Sequence, residues 1–404
     1  MKRRSISMAV VAMALAATSG CAEKSQTLSL PSDSGNGSIV IWSNLENEIG
    51  VLEEYAQKWS EQTGSTATVL RETPDLQQFS QASKSEGGPD GIYGIANDQL
   101  ASYVSAGLAQ VVPEELYSDA DYADAAVRAC YADGVRYGVP IAVETITLFY
   151  NTDKIKEAPK TWEEMIEAAK NNGGLKFEAT SIYYDVGFLR AFDSYIFPYA
   201  DGGYDTGDIG FGNSGAIEAY EYLNSLAALG FAGADITSDI AKGSFQNGET
   251  AFYIGGPWDV EGLKAAGTAF GIAKMPTLNG KDFVTPVGTQ VGFVSTKSKN
   301  QKLVYDFFRY LQENAAEALY QAGGRIPALL SAQNSIEADD DTRAFIEQIA
   351  AGEPLPTVAE LGQVWTPYSD NMKLMFTGQI SPSEAAENIE AQVREGIELM
   401  NSGK

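Results

Sequence analysis

The chain of 404 residues contains no histidine and only two cysteines, Cys21 and Cys130. Without His, Ser-His-Asp triads, His-containing zinc sites and histidine general acids are excluded. The same absence leaves Cys130, in the word RACYADG, without an imidazole base, so it reads as a buried structural thiol rather than a nucleophile. Basic residues are scarce: 28 Lys and Arg stand against 54 Asp and Glu, a formal net charge of −26. A surface of that sign repels phosphate backbones, so nucleic acid is not an expected partner. No GxxxxGK[ST] word offers a nucleotide cradle. The DGGYDTGD stretch at 201–208 and the Asp339–Asp341 run do not follow the calcium-loop pattern. They read as acidic surface loops, and neither a metal nor a cofactor is expected. At 44% hydrophobic residues, the chain is apolar enough for a globular body.

Long apolar runs are also missing, apart from one that is too short to span a bilayer. Lys2, Arg3 and Arg4 precede the apolar stretch Ile6 to Ala17, and Thr18-Ser19-Gly20 places small residues before Cys21. This is the pattern of a secretory signal peptide over residues 1–20. The Gly-Cys junction resembles a bacterial lipobox, in which Cys21 takes a diacylglycerol and becomes the mature N-terminus. Thr18 stands where that pattern usually has Leu, and ordinary cleavage nearby is the alternative. An acylated Cys21 leaves Cys130 no disulfide partner. Residues 21–38 are polar and rich in Ser, Gly and Asp, a flexible tether between membrane and folded body.

From Ser38 onward, strand and helix signals alternate. Ile39 to Ser43 reads as a strand. Glu48 to Gln62 carries a 3.6-residue apolar face through Ile49, Leu52, Tyr55, Ala56 and Trp59, and stops at Gly64. Ala67 to Leu70 and Gly91 to Ile95 read as strands, and Leu76 to Ser83 and Asp98 to Ser105 as helices. The order implies a largely parallel sheet with right-handed crossovers. Val139 to Tyr150 is one long extended stretch, suited to cross between lobes. Thr161-Trp162-Glu163-Glu164 and Ser381-Pro382-Ser383-Glu384 are capping boxes. Helices are expected at Ala216 to Leu229 and Lys302 to Gln312, a strand at Val291 to Ser295, and an all-helical end from Asp340.

The richest word is FQNGETAFYIGGPW, Phe245 to Trp258. Gly248 closes a helix, Thr250 to Ile254 forms a short strand, and Gly255-Gly256-Pro257 forces a turn. Trp258 then stands at a strand end, where open α/β sheets bind ligands. No catalytic group accompanies it.

These words, taken in order, resemble the extracytoplasmic solute-binding proteins of ABC importers for oligosaccharides, the maltose and maltodextrin binders above all. The similar words are VIWSN (Val40 to Asn44), GPD (Gly88 to Asp90), PIAVET (Pro140 to Thr145) and PKTWEE (Pro159 to Glu164). GGYDTGDIG with NSGA follows at Gly202 to Ala216, then FQNGETAFYIGGPW and LP…VW (Leu355 to Trp365). They cover nearly the whole mature chain; each word alone is weak, and the ordered series is specific for the family. The resemblance implies an α/β, two-lobed periplasmic-binding-protein-like fold with mixed or parallel sheets, a multi-segment hinge and a central ligand cleft. One lobe would comprise 39–143 plus 288–338, the other 144–287 plus 339–404. Crossings would lie at Pro140 to Val143, near Pro286 to Gly288 and near Asp339 to Arg343.

The implied function is to capture an oligosaccharide outside the cell and deliver it to the permease subunits. The protein would be a monomer anchored by its lipid to the outer face of the cell membrane. In such a cleft, aromatic rings cover the apolar faces of pyranoses, and carboxylates accept from the hydroxyl rim. By resemblance Trp258 is a platform, and Trp365 a second one, or else a core residue. Tyr183 aligns with a sugar-contacting Tyr, and Tyr184 can serve instead or as well. Glu144 accepts from hydroxyls or forms an interlobe ion pair. Asp98 is a sugar ligand or an N-cap, and Glu46 lies in the loop that contacts sugar. Trp42, Trp59 and Trp162 read as core. Where the maltodextrin binders carry basic residues, this chain has Asn47, Gln99 and Ser369, and Gly94-Ile95 replaces a cleft Trp. The sugar can thus be maltodextrin or another oligosaccharide. The rival class is a surface glycosidase with Glu144 paired to Asp98 or Glu46; a non-binding adhesin is a third.

Overall fold

The computed structural model describes residues 37–72, 75–114, 116–132, 134–200, 203–336 and 339–402. The signal peptide, Cys21 and nearly all of the tether lie outside them. The described residues include no helix long and apolar enough to cross a membrane.

Two sheets organise two lobes. The larger has seven strands. Ser38–Ser43 pairs in parallel with Thr66–Arg71 and Gly91–Ala96, while Pro286–Val294 runs antiparallel to both Gly91–Ala96 and Val139–Thr145. Ile326–Pro327 extends it beyond Val139–Thr145, and Glu353–Pro354 pairs in parallel with Pro286 and Val287. The smaller sheet has four strands, in the order Phe270–Ala273, Thr147–Asn151, Phe252–Gly255, Leu175–Lys176. The first sheet is therefore mixed. Its parallel part comes from the β-α-β-α-β order at the start of the chain, and its antiparallel part from strands that return from the second lobe.

Most expected elements appear within a residue or two of their reading. Gly64 and Gly248 both take the left-handed conformation, at φ 73° and 69°. Ser381 and Glu384 form a reciprocal box, with Glu384 N–H donating to Ser381 Oγ at 3.2 Å and Ser381 N–H to Glu384 Oε2 at 2.8 Å. At the other box, Thr161 caps Glu164 N–H, but Glu164 reaches back to Lys160 N–H rather than to Thr161. The strand expected at Val291 to Ser295 begins five residues earlier, because its first half pairs with Val139–Thr145.

Three apolar clusters fill the interior. Trp162 at 0% exposure packs among Phe177, Phe188 and Phe283 in the second lobe, Trp42 at 6% lies in a first-lobe cluster, and Trp59 at 3% belongs to one that runs from the first lobe to Phe149, Phe245 and Tyr253 of the second. A fully buried aromatic contributes roughly 1.5–3 kcal/mol, which places these three rings in the folding ledger. Cys130 is free and fully buried; burial pushes its thiol up to about 12, so it is inert.

The chain changes sheet at Ile146. Glu144 and Thr145 still pair with Gly288 and Val287 of the larger sheet, and Thr147 already pairs with Gly255 of the smaller. The expected crossing at Pro140 to Val143 thus lies inside the first lobe's sheet, and Glu144 belongs to that lobe. The second crossing enters at Pro286. The third is the helix Asp340–Ala350, which packs against strands of both sheets before Glu353–Pro354 leads into the last helices.

Three side chains tie these crossings together, all at 0% exposure: Thr145, Thr285 and Gln348. The hydroxyls of Thr145 and Thr285 lie 2.7 Å apart. Gln348 Nε2 donates to Phe283 C=O at 2.9 Å and to Thr285 Oγ1 at 3.0 Å, and its Oε1 accepts from Met275 N–H at 2.8 Å. An apolar residue at position 348 leaves that donor and those acceptors unpaired in a dry site. Gln348→Leu should lower unfolding free energy by about 1–3 kcal/mol, read from the midpoint of urea denaturation; an unchanged midpoint would show the hinge bonds contribute nothing.

Candidate functional site

The wall on the first lobe is built where strand Val139–Thr145 reaches its end. Glu144 and Ala142 share a face with Gly288 and Gln290 of the neighbouring strand, by the register that pairs them. Gln290 Nε2 donates to Glu144 Oε1 at 3.0 Å, and Arg325 Nε to Glu144 Oε2 at 2.7 Å. Arg325 also bonds Glu48, a carboxylate at only 2% exposure. Burial alone would lower the guanidinium's pKa; the two carboxylates outweigh it and hold it above its usual value. Glu144 is therefore ion-paired, but within one lobe rather than between lobes. Glu48 Oε2 and Gln290 Oε1, both on this wall, are buried acceptors without a protein partner.

Asp98 lies in the first turn of the helix Asn97–Ser105, whose N-cap is Ala96, so Asp98 is inside the helix rather than capping it. Burial raises its carboxyl above the usual range, against hydrogen bonds from its own and the Gln99 backbone N–H that lower it. Asn97 beside it accepts Thr289 N–H at 3.0 Å, which locks the helix start to the central strand. Gly94 in the preceding strand has φ 96°, and a Cβ there would stand 2.4 Å from Leu45. A side chain at position 94 would therefore run into Leu45 on a backbone that only glycine adopts freely.

Tyr183 meets this wall from the second lobe. It opens the helix Ile182–Ala191. Burial pushes its hydroxyl well up, and the negative charges of Glu144, Tyr184 and Asp98 add to the shift. The helix of Tyr183 packs against strand Pro286–Val294, whose Gln290 holds Glu144. Tyr184 turns inward instead, at 7% exposure, facing Asp259, Glu178 and Ser238.

Trp258 sits in the single turn Pro257–Asp259 and is 37% exposed. Its ring lies flat over Gly256, where a Cβ would come within 2.3 Å of the ring carbons. Asp259 fixes the turn: its Oδ2 accepts from Tyr253 OH at 2.9 Å and Gly256 N–H at 3.3 Å, and Lys242 stands 3.3 Å from Oδ1. A cavity of about 150 Å³ opens beside Trp258, lined also by Asn47, Tyr320, Gly323 and Gly324 of the first lobe and Phe345 of the crossing helix. Trp365 begins the helix Trp365–Phe376, half-buried against the second core. Glu46 is turned away, exposed and paired with Arg71.

Glu48, Arg325, Gln290 and Asp259 went unread in the sequence. Arg325 had one local signal, a cation between the helix-ending Gly323-Gly324 and the apolar IPALL. Glu48 had none, because its partner lies 277 residues away. Among the described residues no group of three or more His, Cys, Asp or Glu can hold a metal ion.

Residues 54–346 match the family model of the bacterial extracellular solute-binding proteins. The chain is 31% identical to a galactooligosaccharide-binding protein of Bacillus subtilis (strain 168), over 98% of this chain and 97% of that one. It is 28% identical to a maltooligosaccharide ABC transporter solute-binding lipoprotein of Streptococcus pneumoniae (strain ATCC BAA-255 / R6), over 92% of each. A cyclo/maltodextrin-binding protein complexed with maltotetraose superposes with a TM-score of 0.84 at 25% identity, covering 91% of this chain and 98% of that one.

Arg325 is the sole cation bonded to Glu48 and Glu144 among the described residues. Removing it strands two half-dry carboxylates. Arg325→Met should cost roughly 3–5 kcal/mol of folding stability, measured by urea denaturation; a loss below about 1 kcal/mol would mean that the pair behaves as a surface bridge.

Proposed function

The chain belongs to the bacterial extracellular solute-binding proteins, and we propose that its solute is an oligosaccharide, closed between the lobes and handed to the membrane permease of an ABC importer. Such a protein releases its ligand unchanged; it is not an enzyme. The observation that carries the reading is the Glu144 carboxylate held by Gln290 and Arg325 on the strand pair against which the Tyr183 helix packs, together with a partly exposed Trp258 ring whose one face rests on Gly256. Aromatic faces and fixed acceptors are what a pyranose presents its C–H face and hydroxyl rim to.

Magnitudes say how many such contacts are needed. A stacked sugar face of roughly 40 Å² contributes about 1 kcal/mol at 25 cal/mol/Å². Micromolar binding needs about 8 kcal/mol. Stacking on Trp258, Trp365 and Tyr183 therefore requires several hydrogen bonds to charged groups, about 1.5–3 kcal/mol each. Glu144 suits this, because Arg325 and Gln290 already hold its orientation and leave lone pairs over. Closure then buries ligand surface against both walls and creates the form a permease can distinguish.

Maltodextrin is the first reading, supported by the maltooligosaccharide lipoprotein and by the fold of the maltotetraose complex. A galactooligosaccharide is the second, favoured by the 31% identity over nearly all of both chains. Cys21 would carry the lipid that keeps the protein, a monomer, at the outer face of the membrane. Substituting Cys21→Ala should then release the protein from membranes into the medium, scored by fractionation; retention would sink the anchor.

Calorimetric titration with maltose, maltotriose, maltotetraose and β-galactooligosaccharides tests the function. Saturable binding with no product is expected for one series and not the other, and turnover of any of them contradicts the reading. Trp258→Ala should weaken the ligand that binds about tenfold, roughly 1.4 kcal/mol, while the melting temperature stays within a few degrees. Unchanged affinity removes Trp258 from the site.

A further inference from the structure

Two helices of the second lobe begin with aromatic residues of the site. Ile182–Ala191 carries Tyr183 in its first turn, and Trp365–Phe376 starts on Trp365 itself. Two residues past Tyr183 lies Asp185, and three past Trp365, one helical turn on, lies Tyr368. Both are at 0% exposure. Tyr368 OH donates to Asp185 Oδ2 at 2.9 Å.

The surroundings of this bond are unfavourable for a carboxyl. The rings of Phe211 and Tyr220 stand 5.7 and 6.1 Å from that of Tyr368. Asp185 Oδ1 and Tyr220 OH have no partner, and among the described residues no cation pairs with Asp185. Burial holds this acid well above the usual carboxylate range, against the single bond from Tyr368 that lowers it. A buried polar group with one bond and one orphaned oxygen costs stability, and replacing both members of such a pair by apolar residues of similar volume is commonly neutral or stabilising. Stability therefore does not account for Asp185. What the bond does supply is a directional link between the two helices whose first turns hold Tyr183 and Trp365.

We propose that Asp185 and Tyr368 are positioning residues for ligand recognition: their hydrogen bond sets the rotation of one helix against the other, and with it the spacing of the Trp365 and Tyr183 rings that face one saccharide. The inference rests on the saccharide reading above. It separates two quantities that a merely structural contact would move together, since loss of the bond weakens binding without weakening the fold.

The experiment uses the full mature chain, with maltotetraose or the galactooligosaccharide that the wild type binds. Affinity is measured by calorimetry and ligand-free stability by melting temperature for the double variant Asp185→Leu with Tyr368→Phe, and for Asp185→Asn and Tyr368→Phe alone. The double variant, which removes both polar partners, should melt close to wild type yet bind at least tenfold more weakly. Tyr368→Phe alone, the milder change should the double variant fail to fold, should lose affinity in the same direction. Asp185→Asn, whose amide oxygen still accepts from Tyr368, should bind within threefold of wild type. Wild-type affinity in the double variant or in Tyr368→Phe overturns the proposal, and so does an affinity loss that merely tracks a fall in melting temperature. If the wild type binds neither sugar, the saccharide reading has failed instead. The positioning claim is then decided by the ¹⁹F resonance of fluorotryptophan at Trp365, assigned with Trp365→Phe. That resonance should shift or broaden in Tyr368→Phe, and an unmoved line refutes the claim.

Discussion

A chain that must pass repeatedly between two lobes has to keep its backbone hydrogen-bonded while it does so. Val139 to Asn151 meets this constraint by belonging to two sheets in succession, with only Ile146 between them. The position of nearly everything else follows. Glu144 falls at the end of the first sheet's strand, where it meets Gln290 and Arg325. Thr145 falls where the second crossing returns, so its hydroxyl meets Thr285. The sheet that Thr147 enters is the one that carries Phe252–Gly255, and so delivers the Gly256 turn and Trp258 to the opposite wall.

The two walls are held by different physics. The first-lobe wall is electrostatic: a guanidinium between two carboxylates, with an amide steadying one of them. The cluster as a whole is anionic, which suits a hydroxyl-donating ligand and disfavours an acidic one. The second-lobe wall is steric. Trp258 is seated by the missing side chain of Gly256 and by Asp259 bonding both sides of the turn. A neutral polyol needs both, one for direction and one for surface.

Much of this was legible in local sequence, and the reasons are local too. Helix faces at 3.6 spacing, Gly stops and capping boxes are set by neighbours a few residues apart, and they stand where periodicity places them. Glu144 and Trp258 were readable because each ends a recognisable strand word. Arg325 and Glu48 were not, because a buried ion pair that spans most of the chain leaves no pattern in either stretch. The crossing was misplaced by several residues for the same reason: a continuous extended run does not announce which of two sheets each residue will pair with. Nor did sequence show that Tyr184 is buried while Tyr183 is only partly so, since that depends on how the helix is rotated on its core.

The buried bonds of Gln348 have a consequence for survival outside the cell. Extracellular proteases act on backbone that can leave its fold and lie extended in their clefts, and connections between lobes are the usual place to find it. Here the connecting strands are dry and cross-bonded to the buried face of their helix. Backbone on both sides of Ile146 is sheet-bonded, and Thr285 is tied to Thr145 and Gln348. A receptor of this construction can open and close through its working life without offering a cleavable strand.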